Sequence, residues 1–310
     1  MEQIRIGYLS TMYHTSHILK HLGWVEKHLR VRPQWKLFGT GPSMVEAFST
    51  GELDIGYIGL PPAMIGIDRG LPLTCIAGGH VEGTAVIARQ GYEPLEDGDI
   101  GHVLGQFQGK RIGAPSQGSI HDVIIRHLLN TCNIQAEVVN YPWADLIPEA
   151  MGSGDIEAAA GTPPLAVLAE KWYGHCLVVS PAHLWPFNPS YGIVVTRSMF
   201  RENTLLESFV RIHETACNLI IQSPGEAAGT VADAVKVVDR QFVLDVFAVS
   251  PRYCASLPRD YIDATMKFVQ PLQDMGYLKK SLSEEDVFDL SLITKIHPEP
   301  HHYHEPLKKG

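Results

Sequence analysis

The sequence predicts an α/β fold of two lobes with a ligand cleft between them. Three observations carry this. Short apolar strands, small-residue turns and amphipathic helices alternate from residue 4 onward, the rhythm of sheets whose strands run mostly parallel. The rhythm restarts near Thr84, just after Gly78-Gly79. The turns that end the strands are rich in Gly, Ser, Thr and Pro, and ligands of open α/β sheets sit at those carboxyl ends.

The elements follow in order. "IRIGYL" (4–9) reads as a strand, and "TSHILKHLGWVEKHL" (15–29) predicts one helix. Ile18, Leu22, Val25 and Leu29 form its apolar stripe, with Lys20, Glu26, Lys27 and Arg30 opposite. "QWKLFG" (34–39) is a strand, and Ser43 is the expected N-cap of the helix that stops at Gly51. "DIGYIG" (54–59) precedes Leu60-Pro61-Pro62, with a helix expected from near Ala63, and "LTCIAGG" (73–79) closes the first half.

In the second half "TAVIAR" (84–89) is a strand, and residues 91–108 read as a polar, glycine-rich connection. "KRIGAP" (110–115), a helix over 119–130, "AEVVNY" (136–141) and a helix around "ADLIPEAMGSG" follow. "IEAAAG" (156–161), "HCLVVS" (175–180) and "YGIVVTR" (191–197) are further strands. From Leu205 the pattern is helical, with breaks at Pro224, Pro251 and Pro258. The tail "HPEPHHYHEPLKKG" is polar and biased, and is expected to be solvated. The expected division is a first lobe of 1–83 and 192–250 and a second lobe of 84–191. Helices of 251–296 are expected to pack on the lobes, followed by the histidine-rich tail 297–310.

A chain of 310 residues, 45% apolar, can bury two cores. The net charge is −9 and no Lys/Arg cluster tracks a surface, so nucleic acid is not an expected partner. No apolar run approaches the ~18–20 residues that span a bilayer. The five cysteines are widely spaced without a C-x-x-C, which argues against a disulfide framework or zinc ribbon. The chain opens Met1-Glu2-Gln3 directly into the first strand. It is therefore expected to be periplasmic or extracytoplasmic if a leader was removed, and cytoplasmic if Met1 is the native start.

The candidate ligand contacts lie in the turns. Ser116, Gln117, Gly118 and Ser119 precede a helix with an apolar face of Ile120, Val123, Ile124 and Leu128, and His121 sits in its first turn. First-turn N–H groups lack internal partners and carry the positive end of the helix dipole, so an oxyanion or carbonyl oxygen suits that place. Gly118 allows close approach, and the serines add hydroxyl donors. Gly39, Thr40 and Gly41 offer the same from the first lobe; Met44 breaks the G-x-G-x-x-G pattern, which disfavours a dinucleotide. Met12, Tyr13 and His14, then Leu60 and Pro61, and then Thr162 and Pro163 line further strand-to-helix turns. His80, Gly83 and Thr84 mark the first lobe crossover, and Trp143 and Tyr191 supply aromatic surface. Ordinary helix caps would explain each turn singly; the repetition of the pattern in two lobes favours a ligand. Glu82 points the other way, because a carboxylate at the crossover would repel an anion and would suit an amine or a cation.

His17 and His21 have i, i+4 spacing but no third ligand in view, and the tail histidines His297, His301, His302 and His304 read as part of the solvated end. No metal and no cofactor is assigned. There is no G-x-S-x-G, H-E-x-x-H or P-loop, so a binding protein is expected rather than an enzyme.

"GTGPSMVEAFSTGELDIGYIGLPPAMIGIDRGLPLTCIAGG" resembles a signature of the periplasmic solute-binding proteins for nitrate, sulfonate, taurine and bicarbonate. Ala47, Gly51, Glu52, Asp54, Ile55, Gly70, Pro72 and Leu73 fit that family's A-x-x-x-G-E-x-D-I and G-x-P-L pattern. "GKRIGAPSQGSIHDVIIRHLL" and "MGSGDIEAAAGTPPLAVLAE" resemble its second-lobe segments, so the likeness covers about residues 4–250. It departs in "LRVRPQW" before the second strand, in the histidine-rich tail and in the absent leader. The resemblance implies a periplasmic-binding-protein-like, type II-like fold. It also implies a monomer that holds a small solute (a sulfonate, a nitrate- or bicarbonate-like anion or a related molecule) under a closing hinge. The partners it implies are the permease and ATPase of an ABC importer. The same fold also serves cytosolic enzymes of cofactor biosynthesis and ligand sensors, which is the alternative expectation. The cysteine cluster of the thiamine-pyrimidine synthases on this fold is not present.

Overall fold

The computed structural model describes residues 2–96 and 98–308. Met1, Lys309 and Gly310, at the ends of the first-lobe and tail segments read above, lie outside the described residues.

Among the described residues, ten strands form two five-stranded sheets. They are β1 Gln3–Leu9, β2 Arg32–Phe38, β3 Ile55–Ile58, β4 Leu73–Val81, β5 Ala85–Ala88, β6 Arg111–Pro115, β7 Glu137–Tyr141, β8 Ala158–Gly161, β9 Cys176–Val179 and β10 Pro189–Thr196. The first sheet has the order β2-β1-β3-β10-β4 and the second β7-β6-β8-β5-β9. In each, one strand runs against the others: β10 is antiparallel to β3 and β4, and β5 to β8 and β9. These are the strands that have just crossed between the sheets. The inner strands β3, β5 and β8 are buried at every position, which is why they read as unbroken apolar runs rather than alternating ones.

The helices of the first half are α1 Ser16–Leu22, α2 Trp24–Leu29, α3 Gly41–Ser49 and α4 Leu60–Asp68. Those of the second are α5 Ile100–Gly105, α6 Ile120–Thr131, α7 Ile147–Ser153, α8 Pro163–Tyr173 and α9 Pro181–Leu184. After β10 come α10 Asn203–Gln222, α11 Pro224–Val235, α12 Arg240–Val249, α13 Arg259–Met266, α14 Val269–Asp274, α15 Glu284–Val287 and α16 Ile293–Ile296. α10 packs its apolar face, including Phe209, Val210 and Ile220, against α1, α2 and β4.

Five local expectations are corrected. The single helix 15–29 is two, because Gly23 adopts φ 63 and ends α1 with a left-handed cap. Thr40, not Ser43, caps α3; Ser43 is its third residue and accepts from the Thr40 N–H at 3.4 Å. α4 starts at Leu60, with Pro61 and Pro62 inside its first turn, where a missing N–H costs nothing. The connection 91–108 contains α5, capped by Asp99, which accepts from the Gly101 N–H at 2.8 Å. The tail is not a solvated end: Tyr303 is fully buried, its hydroxyl donates to the Ser256 carbonyl at 3.0 Å, and its ring stacks on Tyr261.

Two crossovers join the sheets, β4 to β5 and β9 to β10. Each contains a non-glycine residue in the left-handed region, Glu82 at φ 61 and Phe187 at φ 62. The two strained points are tied together. The Glu82 N–H donates to the Asn188 carbonyl at 2.8 Å, and the Phe187 N–H donates to Glu82 Oε1 at 3.0 Å. Arg252 completes the clasp, 3.3 Å from Glu82 Oε2. The Glu82 carboxylate is thus spent on the hinge, and the repulsion expected of it at the cleft does not arise.

Candidate functional site

A cavity of ≈ 40 Å³ lies between the two lobes. About 10–15 Å³ of such volume holds one water, so the space suits a group of a few non-hydrogen atoms. Its walls come from strand ends and the helix starts that follow them. The chain emerges from β1 at Leu9, Thr11, Tyr13 and His14, and from β6 at Pro115.

Four helices begin at this cavity. Thr40 caps α3, Gly59 caps α4, Ser119 caps α6 and Thr162 caps α8, and all four line it. Two belong to each lobe. Their dipoles put positive potential into the same space. Prolines occupy the first turns of α3, α4 and α8, so the number of free N–H donors is smaller than four bare termini would give. At α6 the Ser119 hydroxyl caps by accepting from the Asp122 N–H at 3.3 Å. The buried Asp122 carboxylate beside it is satisfied elsewhere, by Arg126 at 2.7 Å, Gly118 N–H at 2.9 Å and Tyr277 at 3.0 Å. Among the described residues no Asp, Glu, Lys or Arg lines the cavity.

The polar side chains are histidines and hydroxyls. His14 is 1% exposed, and neither ring nitrogen has a hydrogen-bond partner. The Thr11 hydroxyl is likewise buried and unpartnered. His121 is fixed through Nδ1, 2.9 Å from Thr84 Oγ1. Tyr13 and Ser190 share a hydrogen bond of 2.9 Å. Burial holds His121 down to about 4, and burial together with neighbouring histidines holds His14 well below its ordinary value. Burial raises the Tyr13 phenol despite its bond to Ser190. At neutral pH the site therefore offers uncharged donors and acceptors.

Lobe-to-lobe contacts close the rim. Ser116 Oγ donates to Thr40 Oγ1 at 3.1 Å, and Ser10 Oγ donates to Asp145 Oδ2 at 3.1 Å. Trp143 covers Gly39 so tightly that a Cβ there would lie 2.6 Å from its ring.

Of the residues singled out by sequence, Tyr13, His14, Gly39, Thr40, Gly41, Ser119, His121 and Thr162 border the cavity. The others stand around it. Ser116 and Trp143 seal the rim, and Thr84 holds His121. Gly83 makes room for Ser190, whose Oγ would be 2.0 Å from a Cβ there. Gln117 and Gly118 open instead onto a neighbouring groove shared with Arg69 and Tyr277. His80 turns to the Ser250 carbonyl at 2.7 Å. Tyr191 is fully buried behind His14, with ring centroids 4.0 Å apart. Leu60, Pro61 and Pro163 are buried in their helix starts, and Met12 packs half-buried on the core.

Thr11, Gly59, Pro62 and Ile120 also line the cavity and belong to the turns expected to wall it; Ser190 lines it too and neighbours Tyr191. In β10 successive side chains face opposite ways, so Ser190 enters the cavity while Tyr191 goes into the core.

A family model described as the NMT1-like family matches residues 1–236. The chain belongs to this family. A candidate binding protein of Brucella abortus (strain 2308) is 29% identical over 242 residues, 76% of the NMT1-like chain and 72% of the relative. The alkanesulfonate-binding protein SsuA of Xanthomonas axonopodis pv. citri, bound to MOPS, superposes with a TM-score of 0.79 at 18% identity. The match covers 93% of the NMT1-like chain and 98% of SsuA. The periplasmic nitrate-binding protein NrtA of Synechocystis PCC 6803 gives 0.77 at 12% identity, over 96% and 89% of the two chains. At these identities the likeness shows the fold: two α/β lobes of the periplasmic-binding-protein kind.

Proposed function

We propose that the chain captures a small oxyanion-bearing solute, of the sulfonate, nitrate or bicarbonate class, between its lobes. It then delivers the solute to a membrane permease driven by an ATPase. The observation that carries this is the convergence of four helix N-termini on one small cavity that also holds the unpartnered ring of His14. Dipoles and neutral donors favour an anion without fixing it in an ion pair. That suits a carrier that must release its cargo. The alkanesulfonate- and nitrate-binding proteins of the same fold support the choice of class.

The hinge supports the mechanism. Solute bridging both lobes adds to the Ser116–Thr40 and Ser10–Asp145 rim contacts and shifts the lobes toward closure. The closed pair of lobes is the surface offered to the permease. The site is complete within one chain, so a monomer suffices. Among the described residues no helix is long and apolar enough to cross a membrane, and the chain works as an extracytoplasmic carrier.

A thermal-shift screen over nitrate, bicarbonate, short alkylsulfonates, taurine, carboxylates and thiamine pyrimidines tests this. A ligand at a hundredfold its Kd adds about 2.7 kcal/mol, a rise of several degrees in Tm. The expected result is a rise with one class of small oxyanion that His14→Ala removes. No rise with any solute, or recovery of a chemically altered solute, would favour the enzyme or sensor use of the fold instead.

A further inference from the structure

We propose that Cys254, His297 and His302 supply three ligands of a zinc site, its fourth position completed by water, that fastens the C-terminal tail to the body of the protein. One ligand atom of each residue lies within 4.8 Å of the other two. His297 Nε2 is 3.8 Å from Cys254 Sγ. A tetrahedral Zn²⁺ with Zn–S of about 2.3 Å and Zn–N of about 2.0 Å holds its sulfur and nitrogen about 3.6 Å apart. The rings of His297 and His302 are inclined at 59° with centroids 4.6 Å apart, so they are tilted rather than stacked.

The surroundings are those of a metal ligand set. His297 Nδ1 bonds Glu214 Oε1 at 2.5 Å, which fixes the ring with Nε2 toward the sulfur. A carboxylate behind a histidine is the usual outer support of a metal site. Nε2 itself has only long contacts, to Cys254 Sγ at 3.8 Å and to the Pro300 carbonyl at 3.4 Å. Two backbone N–H groups donate to the sulfur, from Ser256 at 3.5 Å and from His302 at 3.4 Å. Thiolate with imidazole selects Zn²⁺ over Mg²⁺ or Ca²⁺.

Cys254, His297 and Glu214 also resemble a nucleophile, base and orienting acid. Cys254 is 1% exposed, so no substrate reaches its sulfur, and a metal is favoured. The neighbouring trio Asp260, His301 and His304 is more exposed, and His304 is already 3.0 Å from the Arg252 guanidinium. The site would tie the tail at His297 and His302 to the segment that runs along β4. The Cys254 N–H donates to the Gly79 carbonyl there at 3.3 Å.

The test uses the untagged full chain, stripped with a chelator and titrated with Zn²⁺ and Co²⁺. One ion per chain is expected, and the Co²⁺ form should show a thiolate-to-metal charge-transfer band and intense tetrahedral d–d bands. Cys254→Ser should abolish the charge-transfer band. His302→Ala should weaken Zn²⁺ binding at least tenfold, and Glu214→Gln about 10- to 100-fold. His304→Ala should leave Zn²⁺ binding unchanged. If Cys254→Ser does not fold, the half-buried His302→Ala decides alone. Absence of the charge-transfer band, or equal Zn²⁺ affinity in wild type and His302→Ala, overturns the site.

Discussion

Acidification from pH 7 to pH 5.5 should remove about 5 kcal/mol of stability. His14, His17, His80, His121 and His213 are all buried. Burial is the main cause that holds His17, His121 and His213 down to about 4 and His80 to about 3, with His14 also well below its ordinary value. A histidine lowered in the folded state is protonated first in the unfolded chain. Its contribution is therefore full above about pH 6.5 and is lost as pH falls toward the folded value. At pH 5.5, one unit below the unfolded pKa, each such group costs about 1.4 kcal/mol, against about 0.2 at pH 7. The difference over His17, His80, His121 and His213 is about 5 kcal/mol, with His14 acting in the same direction, a large part of the roughly 5–15 kcal/mol a folded protein commands. Urea unfolding followed by circular dichroism at the two pH values measures it. A loss under about 1 kcal/mol would refute the reasoning, because it would mean that these rings titrate as if exposed.

Three further outcomes follow from single contacts. Gly39→Val places a side chain against the Trp143 ring, 2.6 Å from where its Cβ would stand, and should hold the lobes apart. Solution scattering should show a larger radius, and solute affinity should fall at least tenfold. Tyr13→Phe leaves the buried Ser190 hydroxyl without its 2.9 Å partner and should cost about 1–3 kcal/mol in urea unfolding. Tyr303→Ala empties a fully buried site and should cost about 3–5 kcal/mol, with protease cleavage appearing in the tail.

The strand-and-turn rhythm made the two sheets legible, because inner strands covered on both faces show as short unbroken apolar runs. What stayed hidden depended on facts that spacing does not encode. The single expected helix 15–29 gave no sign that Gly23 would turn left-handed, since an apolar stripe carries on through a bend. Ser190 and Tyr191 are neighbours, and only strand register decides which enters the cavity. Glu82 looked like a cleft residue because it lies at the crossover; its partners Phe187 and Arg252 come from distant parts of the chain. The tail looked solvated by composition, yet Tyr303 finds a slot that exists only because Gly78 has no side chain, its hydroxyl 2.2 Å from where a Cβ would stand. The helix starts at the cavity were legible as a set, because Ser, Thr and Gly before a helix mark both a cap and an anion seat.

The cavity between the lobes is proposed to hold a small oxyanion. Titration calorimetry with methanesulfonate, nitrate and bicarbonate, on wild type and on Thr162→Phe, tests it most directly. Thr162 lines the cavity and its side chain makes no capping bond to α8, so the larger ring fills the space without uncapping the helix. One site per chain for one of these solutes is expected in the wild type, and no heat of binding in the variant. Equal binding in both proteins, or none to any of the three in the wild type, would contradict it.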